Sequence, residues 1–505
     1  MIEKELLLKE MLREIYNKIA DGQDVRKNLI ELRKLLKDKN NVLAFQYFLG
    51  GDYTLLEDLL ENEDAKTRKN VALIMGELKV PEFRSKLYSA YEREDKLFVK
   101  VDYLEALKGF DYSDLSDKLK ARLEYLTTGE FEETSMKHIN EEKRALTEML
   151  LKVEKPRMHK FTGYDALSDL ILLTNRDYRE VTLDQIKNGN AKVFNAGVMV
   201  RTRDLNEILN IRTYTEMLFR LRNVPTVAME PAAIAEALCK GGLLEFLNER
   251  HEGITPYYFR LEVKSKMLLD KKSDLTKKIA SQLEEKSGRK LINSTSSYEF
   301  EIRLIEGKDG VFNVLLKLYT IKDERFSYRK EAVAASISPV TAALVSKLAE
   351  PYLVKNAQVL DPFCGVGTML IERNKLVPAT PMYGIDSFGQ AIDKAIINSR
   401  AAHMPINFIN RDFFDFKHGY LFDEIFTNMP AQTGRKSEDE LMMLYHDFFN
   451  KALEVLKDEA LIVMYTRNKE MVEREVRARE AYEVLKKFEI SKKEAAYVYI
   501  LAVKQ

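Results

Sequence analysis

The sequence is poor in the residues that build disulfide frameworks, metal sites and histidine-based catalysis. Its 505 residues include two cysteines, six histidines and no tryptophan. Cys239 and Cys364 alone can form neither a disulfide framework nor a zinc site, so we expect no bound metal. The cytoplasm, a reducing compartment, is the expected location.

Net charge and long apolar runs are absent as well. Acidic and basic residues balance at 80 each. The total charge therefore neither indicates nor excludes a nucleic-acid partner, which requires only a local basic face. No apolar run approaches the roughly 18 residues that a membrane span requires. The N-terminal segment MIEKELLLKEMLREIYNKIAD is charged throughout and resembles neither a signal peptide nor a transit peptide.

What is present indicates a globular chain with several domains. A length of 505 residues is too great for one hydrophobic core, so three or four domains are expected. Residues 1–155 are predicted to be helical, because apolar residues recur at steps of three and four, as in Val71, Ile74, Met75 and Leu78.

A weak internal repeat lies within this helical region. The segment LLEDLLENED (55–64) aligns with KLYSAYERED (86–95), and each copy leads into another amphipathic helix. Helical pairs with such a period resemble HEAT-type repeats, which stack into a solenoid with one open face. An irregular helical bundle is the alternative interpretation, since the repeat has only two copies.

The next two parts of the chain mix predicted strands and helices. In residues 156–230, SDLILLT and NAGVMVRT have strand character, whereas VTLDQIKN and DLNEILNIRTYTEMLFRL are predicted as helices. In residues 231–325, the last two predicted strands, YEFEIRLIE and FNVLLKLYT, flank a turn at 307–310. Each of these two parts is therefore predicted to be an α+β module.

Residues 326–505 alternate predicted strands with predicted helices. This alternation predicts a parallel, doubly wound α/β sheet of the Rossmann-like type. Two final strand candidates, YEVLKKFEI and AAYVYILAVK, would close an antiparallel edge. The five strand segments before them are 357–361, 382–386, 406–410, 422–428 and 460–465.

The strongest local motif is VLDPFCGVGTMLIE, at residues 359–372. A predicted strand ends at Asp361, Gly365 and Gly367 allow a tight turn, and a helix begins near Thr368. Glycines at this place let a cofactor approach the backbone closely. Because the third glycine of the dinucleotide motif is missing, a nicotinamide cofactor is disfavoured.

Acidic side chains end three successive predicted strands. These are Asp361, Asp386 and Asp412, the last followed by Phe413. Asp386 is placed to bind both hydroxyls of a ribose, and Asp412 to accept from an adenine amine beside the Phe413 ring. A lone aspartate is more often a helix cap or a solvated loop residue, but three at one sheet edge favour a ligand site.

The glycine loop also matches a family pattern. It reads D-P-x-C-G-x-G-T-x-x-I-E, and in this it resembles RNA methyltransferases that carry a THUMP domain, in particular the guanine amine methyltransferases of tRNA and ribosomal RNA. Asn398 in the next helix and Tyr328-Arg329 upstream fit the same family. The matching loop residues are Asp361, Pro362, Cys364, Gly365, Gly367, Thr368, Ile371 and Glu372.

The resemblance covers about residues 160–505 and implies a fold, a cofactor and a substrate. It implies a ferredoxin-like module in 156–230, a THUMP-like RNA-binding domain in 231–325 and a class I methyltransferase domain in 326–505. S-adenosyl-L-methionine would be the cofactor, bound in part by the loop residues Asp361 to Thr368, and tRNA the partner. The N-terminal helices lie outside the family pattern, and we expect them to bind a protein partner.

The fourth predicted strand ends in Asn428-Met429-Pro430-Ala431. An exocyclic amine conjugated to its ring is a poor nucleophile, because its lone pair is delocalised. The Asn428 oxygen and the Pro430 carbonyl can both accept from the amine hydrogens, which holds the nitrogen in line with a methyl donor. No strong base is required, in agreement with the scarcity of histidine.

The sequence departs from the family at the next residue. The family has Tyr or Phe where this chain has Ala431, so a platform for the target base, worth about 1–3 kcal/mol, is missing. The family's glycine comes late, at Gly434, followed by Arg435. Three explanations are open: another aromatic side chain such as Tyr445 or Phe326 supplies the platform, a different amine is methylated, or cofactor and RNA are bound without turnover.

RNA binding is predicted from a lysine cluster in the THUMP-like part. A basic cluster on one helix is often only a solvated face, but THUMP domains grip the acceptor end of tRNA, which favours phosphate contacts here. The target base would have to leave its stack to reach Asn428. The lysines are Lys264, Lys266, Lys271, Lys272, Lys277 and Lys278.

Two rival functions remain open at this point. Amine methylation of DNA or of a protein glutamine also uses Asn-x-Pro-type motifs. A non-catalytic RNA-binding or scaffold protein with a degenerate methyltransferase site would account for Ala431 and for the additional N-terminal helices.

Overall fold

The computed structural model of the chain describes residues 2–153, 158–253, 256–307, 310–431 and 437–504, with side chains from residue 9 onward. These residues form two compact units, Met1–Arg157 and Met158–Gln505. Among them, no helix is long and apolar enough to cross a membrane.

The first unit is helical, as predicted. Helix α5 is central and packs against α2, α4 and α7. It begins at the cap Asp64, whose carboxylate accepts from the N–H groups of Lys66 and Thr67. The HEAT-type repeat stays a prediction. The helices in the described part of this unit are α1 (Ile2–Ala20), α2 (Val25–Leu35), α3 (Lys39–Leu49), α4 (Thr54–Leu60), α5 (Ala65–Leu78), α6 (Phe83–Arg93), α7 (Leu97–Leu107), α8 (Ser116–Thr128) and α9 (Met136–Val153).

The second unit begins with an α+β region. Its helices are α10 (Arg179–Leu183), α11 (Leu205–Asn210), α12 (Pro231–Lys240), α13 (Leu243–Asn248) and α14 (Leu269–Lys286). Its strands are β1 (Lys160–Phe161), β2 (Ser168–Thr174), β3 (Asn190–Phe194), β4 (Gly197–Thr202), β5 (Tyr214–Arg220), β6 (Thr226–Ala228), β7 (His251–Glu252), β8 (Tyr257–Lys264), β9 (Leu291–Asn293), β10 (Phe300–Glu306) and β11 (Val311–Leu318).

Nine of these strands form one sheet, in the order β3-β4-β2-β5-β11-β10-β8-β9, with β6 paired to β11. The strands β8, β9 and β10 run parallel to one another, and the other pairs are antiparallel. Strands from the two modules predicted in 156–230 and 231–325 thus share a sheet, joined where β5 and β6 pair with β11.

The helix predicted over DLNEILNIRTYTEMLFRL is wrong in its second half. Helix α11 ends at Asn210, and Tyr214–Arg220 forms β5 in the middle of the sheet. The aromatic Tyr214 and Phe219 suit a strand, and pairing on both sides stabilises that conformation over the local helical periodicity. The predicted helix over VTLDQIKN shortens to α10.

The hairpin predicted from β10 to β11 is antiparallel in the structure, with Glu306 opposite Phe312. Two residues of its predicted turn, Lys308 and Asp309, lie outside the described residues.

The C-terminal part contains a second sheet, in the order β14-β13-β12-β15-β16-β18-β17. Its elements are α15 (Pro339–Ala349), β12 (Val359–Asp361), α16 (Thr368–Leu376), β13 (Met382–Asp386), α17 (Gly389–Ala401), β14 (Asn407–Asn410), β15 (Phe422–Asn428), α18 (Glu438–Val455), β16 (Leu456–Thr466), α19 (Lys469–Arg477), β17 (Tyr482–Ser491) and β18 (Ala496–Val503).

The first five strands of this sheet are parallel, and β17 and β18 close an antiparallel edge, as predicted. The chain runs outward from β12 to β13 and β14 on one side, then returns to β15 on the other. The strand order therefore reverses between β12 and β15. In open α/β sheets, ligands bind outside the carboxyl ends of the strands at such a switch point.

Candidate active site

A cavity of about 840 Å³ opens at the carboxyl ends of β12, β13 and β15. Most of the residues predicted to bind cofactor and substrate line it. Two do not: Asp361 and Gly367 are absent from its wall. The predicted residues that line the cavity are Pro362, Cys364, Gly365, Thr368, Asp386, Asp412, Phe413, Asn428 and Pro430.

The glycine loop has the backbone conformation that its sequence predicts. Gly365 and Gly367 adopt φ angles of 52° and 80°, in the left-handed region that side chains with a Cβ rarely adopt. At Gly367 a Cβ would also lie 3.0 Å from the Phe408 ring. Helix α16 begins directly after this turn, at Thr368.

The carboxylate of Asp386 holds the glycine loop from the neighbouring strand. One oxygen accepts from the Gly365 N–H at 2.9 Å, and the other accepts from the Phe388 N–H at 2.8 Å. Each carboxylate oxygen can accept more than one hydrogen bond, so acceptor capacity remains toward the cavity.

Asp412 both caps a short turn and lines the cavity, which are the two roles considered for a lone aspartate. Its carboxylate accepts from the Phe414 N–H at 3.0 Å and caps the short 3-10 turn 413–415. It also lines the cavity, next to the buried ring of Phe413. The cap fixes the position of the acid at the end of β14.

Asp361 lies behind the cavity wall. It is fully buried, and one of its oxygens accepts from the Thr427 hydroxyl at 2.6 Å and from the Phe363 N–H at 3.2 Å. The other oxygen has no hydrogen-bond partner among the described residues. Burial raises the pKa of Asp361 to about 7, from 3.8. Because Thr427 directly precedes Asn428, the Asp361 bond connects the glycine loop to the end of β15.

Burial also raises the pKa of the Cys364 thiol, with the carboxyls of Asp361 and Asp386 adding to the effect. The thiol is therefore neutral and poorly nucleophilic near neutral pH. Its place in the cavity wall is that of a small apolar side chain.

The segment from Asn428 to Ala431 forms the opposite wall. The Met429 N–H donates to the Tyr465 carbonyl at 2.9 Å, which extends the pairing of β15 with β16. The Asn428 side chain makes no hydrogen bond to any residue that the structure describes, so its amide is available to a ligand. Gly434 and Arg435 lie outside the described residues.

Neither aromatic side chain proposed to replace the missing platform lines the cavity. Tyr445 is fully buried, and its hydroxyl is bonded to Thr466 and Asn468 at 2.7 and 3.1 Å. Phe326 packs against the guanidinium groups of Arg212 and Arg325. The explanation that Tyr445 or Phe326 stacks on the base is therefore wrong for this structure.

Asn398 connects the glycine loop to the segment that enters the domain. This fully buried side chain accepts from the N–H groups of Lys330 and Glu331, both at 2.9 Å. Its amide donates to the carbonyls of Glu331 and Val366 at 3.0 and 3.1 Å. The family pattern pointed to this residue, but its role as a connector could not be seen in the sequence.

Two other motif residues, Thr368 and Glu372, bond to segments outside their own helix. Glu372 on α16 accepts from Arg212, which precedes β5, at 2.8 and 2.6 Å, and from the Tyr328 hydroxyl at 2.6 Å. Arg329 donates to the Thr368 hydroxyl at 2.5 Å. The bonds of Glu372 to Arg212 connect α16 to the α+β region, and the bond of Thr368 to Arg329 holds the start of α16. Sequence reasoning missed both roles.

The predicted RNA-binding lysines lie at the end of β8 and along α14. All except Lys272 are exposed. Lys264 and Lys278 are close to Glu262 and Asp274, at 3.5 and 2.7 Å. None of the six lines the 840 Å³ cavity.

Residues 327–495 match the family model UPF0020, described as an RMKL-like methyltransferase domain. A search of curated proteins by sequence gave no significant match.

Several solved structures share the fold of about two thirds of the chain. TrmN from Thermus thermophilus has 17% identity and a TM-score of 0.51, covering 67% of this chain and 99% of its own. A Listeria monocytogenes protein described as a predicted N6-adenine-specific DNA methylase has 15% identity and a TM-score of 0.50, covering 66% and 96%. A structure described as "SMU.472, a putative methyltransferase complexed with SAH" has the same identity and TM-score and covers 67% and 98%.

These findings, together with the cavity, define the chemistry of the domain. The chain contains a methyltransferase domain, for which the sequence predicts S-adenosylmethionine as the cofactor. The residues present fit that cofactor, because the cavity combines accessible glycine backbone at Gly365 with two carboxylates and several aromatic rings.

Proposed function

We propose that this chain methylates the exocyclic amine of a guanine in RNA, and that tRNA is its substrate. One observation carries the proposal. Asn428 and Pro430 line the same cavity as Gly365, Asp386 and Asp412, so an amine acceptor pair lies beside the cofactor residues.

The cofactor half of the cavity is assigned to the glycine loop and the two acids. The backbone at Gly365 and the start of α16 would hold the methionine part, Asp386 the ribose hydroxyls and Asp412 the adenine amine. S-adenosylmethionine supplies an activated methyl group when bound. Asp361 supports this half from behind, through its bonds to Phe363 and Thr427.

The substrate half is assigned to Asn428 and Pro430. The free Asn428 amide oxygen and the Pro430 carbonyl would accept the two amine hydrogens and direct the nitrogen lone pair at the methyl group. This contribution is positioning and electrostatic stabilisation. The scheme requires no strong base, in agreement with the absence of histidine from the described residues that line the cavity.

The choice of RNA rests on the α+β region. It is interpreted as ferredoxin-like and THUMP-like modules, with exposed lysines along one helix and the strand before it. Such lysines would contact phosphates and set the position of the RNA, without reading its sequence.

Incubation with labelled S-adenosylmethionine and bulk tRNA tests the proposal. We expect label on tRNA with the wild-type chain, and a loss of about 100-fold or more for Asn428→Ala with unchanged cofactor affinity. Asn206→Ala, an exposed asparagine on α11, is the matched control and should keep wild-type activity. Turnover retained in Asn428→Ala would place the catalytic acceptor elsewhere.

The same assay separates the rival functions. Label on DNA or on protein, with none on tRNA, would favour the other amine substrates, one of which appears in the description of the Listeria monocytogenes neighbour. Cofactor binding without transfer to any acceptor would favour a scaffold.

A further inference from the structure

The substrate side of the cavity lacks the ring that should stack on the target base. Ala431 occupies that position, and Tyr445 and Phe326 lie elsewhere. A base held by Asn428 would still need a flat group against one face, since a base out of its helix loses its stacking neighbours. The strand that pairs with β15 on the side away from β12, β13 and β14 is the one that could supply this group, since those three strands carry the residues assigned to the cofactor.

That strand is β16, and its end carries Arg467. Asn428 is paired with Tyr465 across the two strands, and Arg467 follows two residues later. Arg467 lines the same cavity as Asn428 and Pro430. It therefore lies on the substrate side of the switch point, away from β13 and β14.

The Arg467 side chain is anchored by an ion pair with Glu494. Its Nη2 donates to a carboxylate oxygen of Glu494 at 2.7 Å, and both side chains are about half exposed, at 50% and 53%. Glu494 belongs to the connection between β17 and β18, where its own N–H donates to the Ser491 hydroxyl at 3.2 Å. The pair is thus connected to the backbone while part of the guanidinium remains accessible.

The other flat groups in the cavity are less suited. Phe388, Phe413 and Phe414 follow β13 and β14, where the residues assigned to the cofactor lie. Phe363 belongs to the glycine loop after β12, and its ring packs against Phe413 and Phe448. Tyr465 is next to Asn428 but is only 8% exposed. Arg467 lies on the substrate side of the cavity, and its planar guanidinium group is partly exposed.

We propose that Arg467, held by Glu494, is the stacking partner of the target base and takes the place of the aromatic residue missing at position 431. Guanidinium planes stack on bases as aromatic rings do, and this contact suits a base that has left its helix. The inference rests on the proposed function, because it names the residue that receives the base at that same site.

The test measures kcat and KM for bulk tRNA in three variants of Arg467. Arg467→Ala should lower kcat/KM by about 5- to 150-fold, the range that corresponds to removing the stacking partner of one base. Arg467→Tyr, which restores a flat side chain, should recover most of this activity, whereas Arg467→Met, of similar length but not planar, should not. Affinity for S-adenosylmethionine should be unchanged in all three.

Arg93→Ala is the matched control, because Arg93 forms a similar exposed pair with Glu61 at 2.6 Å in the helical unit. It should leave kcat/KM unchanged. Wild-type kinetics in Arg467→Ala, or a Tyr variant as poor as the Met variant, would overturn the stacking role while leaving the proposed function intact. If the wild-type chain transfers no label to RNA at all, the proposed function fails and the inference fails with it.

Discussion

At the scale of single residues, Asp361 combines a position in the glycine-loop motif with complete burial. Its carboxyl pKa is raised to about 7 by that burial, whereas an aspartate in an unfolded chain titrates near 3.8. Because the folded-state pKa is the higher one, the neutral carboxyl favours folding fully below pH 3.8. That contribution is lost as the pH rises through 7.

We therefore predict that Asp361→Asn makes the stability of the methyltransferase domain less dependent on pH. The wild-type domain should lose up to roughly 4 kcal/mol from this group between pH 4 and pH 8, and the variant, which cannot ionise, should not. Thermal unfolding at pH 5.5 and pH 8 measures the difference. Asp393→Asn, on the exposed face of α17, should keep the wild-type pH dependence. Equal pH dependence in Asp361→Asn would contradict the assignment.

Several site residues could be predicted from the sequence, because the residue type and its position after a predicted strand were enough to place it at the site. Asp386, Asp412 and Asn428 each follow a strand, and parallel strands bring their carboxyl ends to one edge. The burial of Asp361 could not be predicted, since it depends on Thr427, 66 positions away in sequence. Arg467 was also missed, because it matches no motif and becomes part of the site only through the pairing of β15 with β16.

At the scale of elements, the glycine loop is held in place by hydrogen bonds from outside its own strand and helix. Asn398 on α17 bonds both to the Val366 carbonyl in the loop and to residues 330 and 331, at the start of the domain. The cofactor site therefore depends on a segment that precedes it by more than thirty residues.

We predict that Asn398→Ala destabilises the domain by about 2–3 kcal/mol, because buried backbone groups lose their partners. The amides of Lys330 and Glu331 should lose protection in hydrogen exchange, and S-adenosylmethionine should bind more weakly. Arg400→Ala, an exposed change on the same helix, should alter neither. Unchanged protection at residues 330 and 331 would show that Asn398 does not hold the segment.

Element prediction succeeded where the local pattern and the tertiary context agree. The alternation in residues 326–505 predicted all seven strands of the second sheet, from β12 to β18. Prediction failed at β5, where residues 214–220 have apolar spacing compatible with a helix but pair with β2 and β11. A central strand is stabilised by partners distant in sequence, which a local periodicity does not contain.

At the scale of the whole molecule, a neutral chain is proposed to bind a polyanion. Only a local basic surface can achieve this, and we propose that the exposed lysines from the end of β8 to α14 form it. Lys266, Lys271 and Lys277 form no ion pair among the described residues, in contrast to Lys278 and its partner Asp274.

We predict that the triple variant Lys266→Ala, Lys271→Ala, Lys277→Ala weakens tRNA binding and reduces its salt dependence. For each lysine that neutralises a phosphate, its removal should lower the slope of log Kd against log salt concentration by about one. The matched control replaces Lys34, Lys37 and Lys39, which are exposed in the helical unit. An unchanged salt slope in the triple variant would show that these lysines form only a solvated face.

The central claim is that the carboxyl edge of the second sheet binds S-adenosylmethionine, and calorimetry with Asp386→Ala tests it most directly. The account predicts that the wild-type chain and Asp393→Ala bind the cofactor equally, while Asp386→Ala, checked for intact folding by circular dichroism, shows no measurable binding. Wild-type affinity in a folded Asp386→Ala variant would contradict the account.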